Sequence, residues 1–275
     1  MLTVAALHAA VEGDGDARML RLDRAFQGLP DTAHGGSVLA ALEHAAGLGG
    51  VRRVEGEFLR RVPLAVPLRL STRRSDDGLA LEVGDDAGPM VQGRVVSAGD
   101  DAGDAVAPPA AGAMALPISR TCFACGTDNA LGLGVQLHAD DATVGGAWTP
   151  RPGFAVGGVV APIALTTMLD EAAFWLGALA TGEAGMTTRL RVTLHAQVRA
   201  DSPIVVAGAR AAVRPRAGDA RYWETAVTAR DTDGRLAASA AITFVAVRGT
   251  ARRLMAGMLA VNPPELLRRV FPSYA

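Results

Sequence analysis

The chain has 275 residues, enough for two domains, and it is 49% hydrophobic and 20% charged, which supplies a core and excludes a disordered chain. Its formal net charge is −1 and all its basic side chains except histidine are arginine, so it lacks the basic excess of a dedicated nucleic-acid binder. No stretch reaches the ~18 uninterrupted apolar residues of a membrane span, and the amino-terminal MLTVAALHAAVEGDGDARML lacks the basic start and cleavage site of a secretory leader, so the chain reads as cytoplasmic.

In chain order, Gly35 to Gly47 reads as a helix in which Val38, Leu39, Ala41, Leu42, Ala45 and Ala46 leave only Glu43 and His44 polar in the middle. A helix apolar on every side is normally buried. A long strand-like run follows over 54–74, then two shorter runs, 78–86 and 89–97, joined by a turn. Residues 99–117 are rich in Ala, Asp, Gly and Pro without periodicity and read as a linker.

Cys122 and Cys125 stand in TCFACGTDN. Such a pair can be redox-active, half of a zinc site, or two small buried side chains. Zinc takes about four ligands, and no second cysteine pair or nearby histidine pair is present. Gly126 and Asp128 suggest a turn, whereas a redox pair usually opens a helix. A buried structural pair, with no metal, is the reading these residues favour.

After a short β-type run (145–150), residues 161–180 form a second apolar helix carrying Asp170 and Glu171 between Met168-Leu169 and Ala172-Ala173. Long β-type runs occupy 187–215 and 221–247, the latter folded at Asp233-Gly234, a strong hairpin signal. Each half is thus one helix followed by a meander of long strands, an α+β pattern repeated. The divisions are 1–98 for the first unit, 99–117 for the linker, 118–250 for the second unit and 251–275 for a tail. A carboxylate inside an apolar helix costs several kcal/mol unless it is paired or functional, so Glu43, Asp170 and Glu171 are the first chemical clue. The bland alternative is that each acid lies along a helix flank in solvent.

Three motifs then carry a resemblance. His34-Gly35-Gly36 opens the first helix with Glu43 further along it, CFACGTDNALGLGVQL opens the second unit with Cys122, Cys125, Gly126, Asn129 and Gly132, and VVAPIALTTMLDEAAFWL places Asp170 at the acidic position of its helix. The chain resembles the hotdog-fold acyl-CoA thioesterase superfamily, in particular the phenylacetate-pathway type and its actinobacterial double-hotdog relatives. The resemblance implies two fused hotdog units, each a long central helix wrapped by an antiparallel sheet. It departs from the pattern at Pro162, which holds a glycine position and has no amide N–H. It departs again at Arg52 and Arg53, which fall where the second unit has Thr187 and Thr188.

In resembling dimers the donor loop of one protomer faces the acid of the other, which implies two unequal composite sites. One joins His34, Gly35 and Gly36 with Asp170, Thr187 and Thr188. The other joins Glu43 with the helix start at Pro162 and Ile163. The expectation is one working site, with Asp170 as base or nucleophile, the Gly35 amide polarising the thioester carbonyl, a threonine orienting water and His34 fixing the loop. Partial burial between Met168 and Phe174 should raise the Asp170 pKa. Gly36, Glu43 and Trp175 are candidate substrate contacts, and Arg52 and Arg53, with Arg60 and Arg61, are candidates for the coenzyme A phosphates.

Each assignment has a plain alternative: a glycine turn, a solvated acid, threonines that merely begin a strand, or a solvated basic edge. His195, Trp148 and Trp223 read as structural. The resemblance implies an acyl-CoA or acyl-carrier-protein thioester as partner, with coenzyme A entering only as substrate, no other cofactor, no nucleic acid, no membrane, and a homodimer of pseudo-dimers as one possible assembly. The alternatives are a non-catalytic acyl-thioester-binding protein and a hydratase or dehydratase, for which Asp31 three residues before His34 is the only cue.

Overall fold

The computed structural model describes residues 2–14, 18–99 and 105–272. Helix α1 (Thr3–Ala9) precedes the expected first helix, α2 (Gly35–Ala46). His34 occupies the N-cap position of α2, and Gly47 ends it in the left-handed conformation (φ 63°) that glycine adopts without a Cβ penalty. The strands of this unit are β1 (Arg52–Phe58), β2 (Leu68–Ser75), β3 (Gly78–Asp85) and β4 (Gly88–Ser97). The second unit contributes β5 (Thr143–Trp148), helix α3 (Pro162–Thr181), β6 (Gly185–Leu194), β7 (Ile204–Ala209), β8 (Tyr222–Arg230) and β9 (Leu236–Ala246).

The long strands form one antiparallel sheet in the order β2-β3-β4-β1-β6-β9-β8-β7-β5, with two-residue strands extending both edges. Its seam is β1 against β6, where Val54 lies opposite Val192 and Gly56 opposite Leu190. The two units therefore share one sheet, and the sheet lies against both helices. Leu39, Leu42, Leu169, Ala172 and Leu176 are almost fully buried beneath it. Helix α3 is long and apolar enough to cross a bilayer by length and composition, but it lies inside the protein, where the sheet covers it.

Two long runs expected as continuous strands are each broken. The first splits at 59–67, where Pro63 and Pro67 cannot donate to a ladder and Ala65 takes a left-handed turn (φ 58°). The second splits at 195–203, where the His195 and Ala196 N–H groups both reach the Ala237 carbonyl. His195 is buried and its Nε2 pairs with Ser239 Oγ at 2.8 Å, the structural role expected of it. Of the expected linker, residues 100–104 lie outside the described residues. Its last part is not featureless, since Met114–Ala115 pairs with His138–Ala139 at the sheet edge.

The tail folds as α4 (Thr250–Met258) and α5 (Pro264–Val270). It is pinned by Asn262, whose Oδ1 accepts the Ile118 N–H and whose Nδ2 donates to the Ile118 and Met258 carbonyls. Phe271 packs 6.3 Å from Trp175, centroid to centroid.

Candidate active site

Helices α2 and α3 meet where the amino terminus of α2 lies against Thr166, Thr167 and Asp170 of α3. The approach is so close that a Cβ on Gly36 would stand 2.6 Å from the Thr166 carbonyl oxygen and the Thr167 Cα. Only glycine fits there. Thr166 completes the contact by donating its hydroxyl to the Gly36 carbonyl at 2.8 Å. This packing brings the amino terminus of α2 to the middle of α3, at Asp170.

Asp170 is 4% exposed. Its Oδ2 accepts the Gly36 N–H at 2.9 Å and its Oδ1 accepts the Thr187 hydroxyl at 2.6 Å. Burial pushes its pKa above the ordinary carboxylate value, further than the His34 charge and those two hydrogen bonds pull it down. The direction is the one expected from the sequence. Gly35, one residue before, also sits against the acid, since a Cβ there would stand 2.8 Å from Oδ2. Among the described residues the Gly35 N–H has no hydrogen-bond partner, as befits a first-turn amide at the positive end of a helix.

His34 is buried beside Asp170, with Nδ1 3.2 Å from Oδ2 and Nε2 3.5 Å from Glu171 Oε2. Desolvation favours the neutral ring, but the Glu171 contact and the surrounding negative charge outweigh it and raise the His34 pKa to about 9. Nδ1 also lies 3.2 Å from the Gly36 nitrogen. It cannot accept that proton and donate to Asp170 at once. In the imidazolium form it donates to Asp170, and the Gly36 N–H then belongs to the carboxylate alone.

Glu171 is fixed from its other side by the Trp175 indole N–H, which donates to Oε1 at 3.0 Å. Glu171 is a site residue that its sequence position does not single out from Asp170. Its one signal in the sequence was its place beside Asp170 in an apolar helix. Cys122 joins the group because its turn packs on the segment leading to His34. The Phe123 N–H donates to the Gln27 carbonyl at 2.6 Å, Asn129 Nδ2 donates to the Ala25 carbonyl at 2.6 Å, and the Phe26 and Phe123 rings pack tilted with centroids 5.0 Å apart.

A cavity of about 640 Å³ opens over this cluster, and His34, Gly35, Asp170, Trp175, Thr187 and Thr188 all line it. Its apolar wall includes Phe58, Val62, Phe174, Met186 and Val245, and the tail closes one side with Leu254 and Met258. Thr188 turns its hydroxyl to the Thr243 carbonyl at 3.2 Å, away from the acid, so Thr187 alone meets Asp170.

Of the candidate substrate contacts only Trp175 lines this cavity: the Gly36 N–H is taken up by Asp170, and Glu43, Arg52 and Arg53 lie elsewhere. Arg52 holds the position in β1 that Thr187 holds in β6, and it reaches the acid of its own helix in the same way, with Nε 2.7 Å and Nη2 2.6 Å from Glu43 Oε1. A guanidinium has replaced the hydroxyl, and the second site is a buried ion pair. Arg53 pairs with Glu55 at 2.9 Å, and Glu55 is shared with Arg191 at 2.8 Å. The arginines that do line the mouth are Arg60, Arg61 and Arg120. Arg60 is tied to Asp85 and Arg120 to Asp128, whereas Arg61 is exposed and has no ion pair among the described residues.

The sequence matches no family model and no curated protein. Solved structures do match. A conserved protein with a hot dog fold from Alicyclobacillus acidocaldarius superposes with a TM-score of 0.60 at 15% identity, covering 88% of this chain and 98% of that one. The chain is a double hotdog. The acyl-CoA thioesterase II TesB2 of Mycobacterium marinum superposes with a TM-score of 0.58 at 14% identity, over 89% of this chain and 98% of that one. The GphF dehydratase 1 gives 0.55 at 16% identity, over 86% and 97%. Structures that share this fold at this distance thus carry both thioesterase and dehydratase names.

Proposed function

We propose that this double hotdog hydrolyses an acyl thioester, of coenzyme A or of an acyl-carrier protein, at the composite site between its units. The observation that carries the reading is a buried carboxylate on α3 held between the Gly36 N–H of the opposing helix and the Thr187 hydroxyl, beside the unpartnered Gly35 N–H and open to one cavity. The acyl group lies along the wall of Phe58, Phe174 and Met186, and its carbonyl oxygen points at the Gly35 N–H. Backbone donors of this kind are typically worth ~3 kcal/mol each to a developing oxyanion.

Water accepted at Thr187 Oγ1 is deprotonated by Asp170 as it attacks the carbonyl carbon. The tetrahedral intermediate collapses with cleavage of the C–S bond, and the proton on Asp170 goes to the departing thiolate. The products are a carboxylic acid and a thiol, and the carboxylate is regenerated. Burial favours this role, because a carboxylate with a raised pKa is a stronger base. Arg61, the unpaired arginine at the mouth, supplies a cation for a phosphate of the carrier.

The pairing of His34 with Asp170 favours a second reading, dehydration of a 3-hydroxyacyl thioester with His34 as base. It is the weaker one. Both imidazole nitrogens are engaged, Nδ1 at Asp170 and Nε2 at Glu171, so neither is free to take an α-proton. Thiol release from a panel of acyl-CoAs, run beside hydration of an enoyl-CoA, separates the readings. Hydrolysis without hydration is expected. Hydration without thiol release would overturn the proposal, and binding without turnover would leave an acyl-thioester-binding protein.

A further inference from the structure

The cluster beneath the cavity holds more than acid–base chemistry requires. A ring nitrogen of His34, Cys122 Sγ and a carboxylate oxygen of Glu171 all lie within 4.8 Å of one another, and all three side chains are buried and line the cavity. No second local cysteine or histidine pair completes a zinc site around Cys122. The fold supplies ligands instead from three separate places: the N-cap of α2, the turn after the linker, and the middle of α3.

We propose that His34, Cys122 and Glu171 form a three-ligand site for a divalent zinc ion whose fourth coordination position faces the cavity. One imidazole, one thiolate and one carboxylate form the mixed N, S and O donor set that zinc accepts, and three protein ligands with one open position is the pattern of zinc sites that exchange a water or substrate atom. Bonds of roughly 2.0–2.3 Å put tetrahedral ligand atoms roughly 3.3–3.8 Å apart. His34 Nε2 and Glu171 Oε2, at 3.5 Å, are already at that spacing.

His34 and Glu171 each have a second partner outside the metal position. Nδ1 of His34 faces Asp170 Oδ2 at 3.2 Å, which orients the ring with Nε2 inward in a carboxylate–histidine–metal arrangement. Glu171 Oε1 accepts the Trp175 N–H, which leaves Oε2 for the ion. Binding expels one proton from the Cys122 thiol, and a second where His34 is protonated. The ion then ties α2, α3 and the cysteine turn together. This inference does not depend on the hydrolytic reading, because its measurement is metal content and spectrum.

The full-length protein is incubated with Zn²⁺, passed through a desalting column, and its zinc counted against protein. The same is done with Co²⁺, whose absorption spectrum reports the donor set. Close to one zinc per chain is expected, together with tetrahedral cobalt d–d bands and a thiolate-to-cobalt charge-transfer band in the near ultraviolet. Cys122→Ser should remove the charge-transfer band and weaken zinc binding on the order of a hundredfold, and Glu171→Gln should weaken binding while keeping the band. Cys125→Ser should retain both. Zinc well below one per chain, or a cobalt spectrum without a thiolate band in the wild-type protein, overturns the site. The wild-type spectrum decides even where Cys122→Ser fails to fold.

Discussion

The two glycines at the tip of α2 do different jobs, and replacing each by alanine separates them. At Gly36 the new Cβ meets backbone, at 2.6 Å from the Thr166 oxygen and the Thr167 Cα. Backbone cannot rotate away, so α2 must retreat from α3. Overpacking of this kind costs roughly 1–3 kcal/mol, offset in part by up to about 1 kcal/mol of helix propensity gained over glycine. At Gly35 the new Cβ instead meets the Asp170 carboxylate, 2.8 Å from Oδ2.

A side-chain carboxylate can swing away from that contact by about half an ångström, and the same propensity gain applies. Gly35→Ala is therefore expected to keep or slightly raise the melting temperature. It displaces the acid from its 2.9 Å bond to the Gly36 N–H and its 2.6 Å bond to Thr187, and misplacement on this scale costs about tenfold to a hundredfold in turnover. Thermal melts and thiol-release kinetics on the two variants test the contrast. A Gly35→Ala enzyme with wild-type kcat, or one that melts as early as Gly36→Ala, refutes the reasoning.

Other outcomes follow from the same contacts. Trp175→Phe removes the indole N–H that donates to Glu171 Oε1, and the unsatisfied buried acceptor should cost about 1–3 kcal/mol in chemical denaturation. Arg61→Ala should raise KM for acyl-CoA several-fold and leave kcat within about twofold, because a phosphate contact at the mouth is the same in ground and transition states; an unchanged KM removes Arg61 from carrier binding. Asp140 accepts the N–H groups of Ala110, Ala142 and Thr143, which hold its pKa down to about 2 from an ordinary 3.8. A carboxylate depressed in the folded state contributes stability above the unfolded pKa and loses it as pH falls through the folded one. Asp140→Asn should therefore lower stability near neutrality and flatten the acid limb below about pH 4.

The repeated helix-and-meander order was legible because it is local. Apolar all-round helices, the Asp233-Gly234 turn and the left-handed stop at Gly47 each declare themselves within a few residues. His34, Gly35, Gly36 and Asp170 were also legible, through spacing along each helix and the likeness of the motifs. The closing contacts between distant segments were not. Arg52 and Thr187 hold corresponding strand positions, yet nothing in a linear reading shows that a guanidinium there would fold back on Glu43 and fill the second site. Glu171 was hidden behind its neighbour Asp170, because facing His34 depends on the rotation of α3, which the register of the sheet against that helix sets. Likewise the cysteine turn showed its shape but not its address, which comes from the Phe26–Phe123 contact between the two units. Of the arginine candidates, Arg60 and Arg61 do reach the rim, where the chain leaves β1, whereas Arg52 and Arg53 lie within β1 and pair with Glu43 and Glu55.

The asymmetry between the two helix acids is the claim on which the rest turns, and one pair of variants measures it. Asp170→Asn keeps the shape of the site but removes the base. Thiol release from the best acyl-CoA substrate should fall by three orders of magnitude or so, with folding intact. Glu43→Gln breaks the buried pair with Arg52 and should cost about 1–3 kcal/mol of stability, less than a fully buried pair because the guanidinium is partly wet, while thiol release stays within a few-fold of wild type. An active Asp170→Asn enzyme beside an inactive, well-folded Glu43→Gln enzyme would place the chemistry in the other half of the molecule and contradict the account.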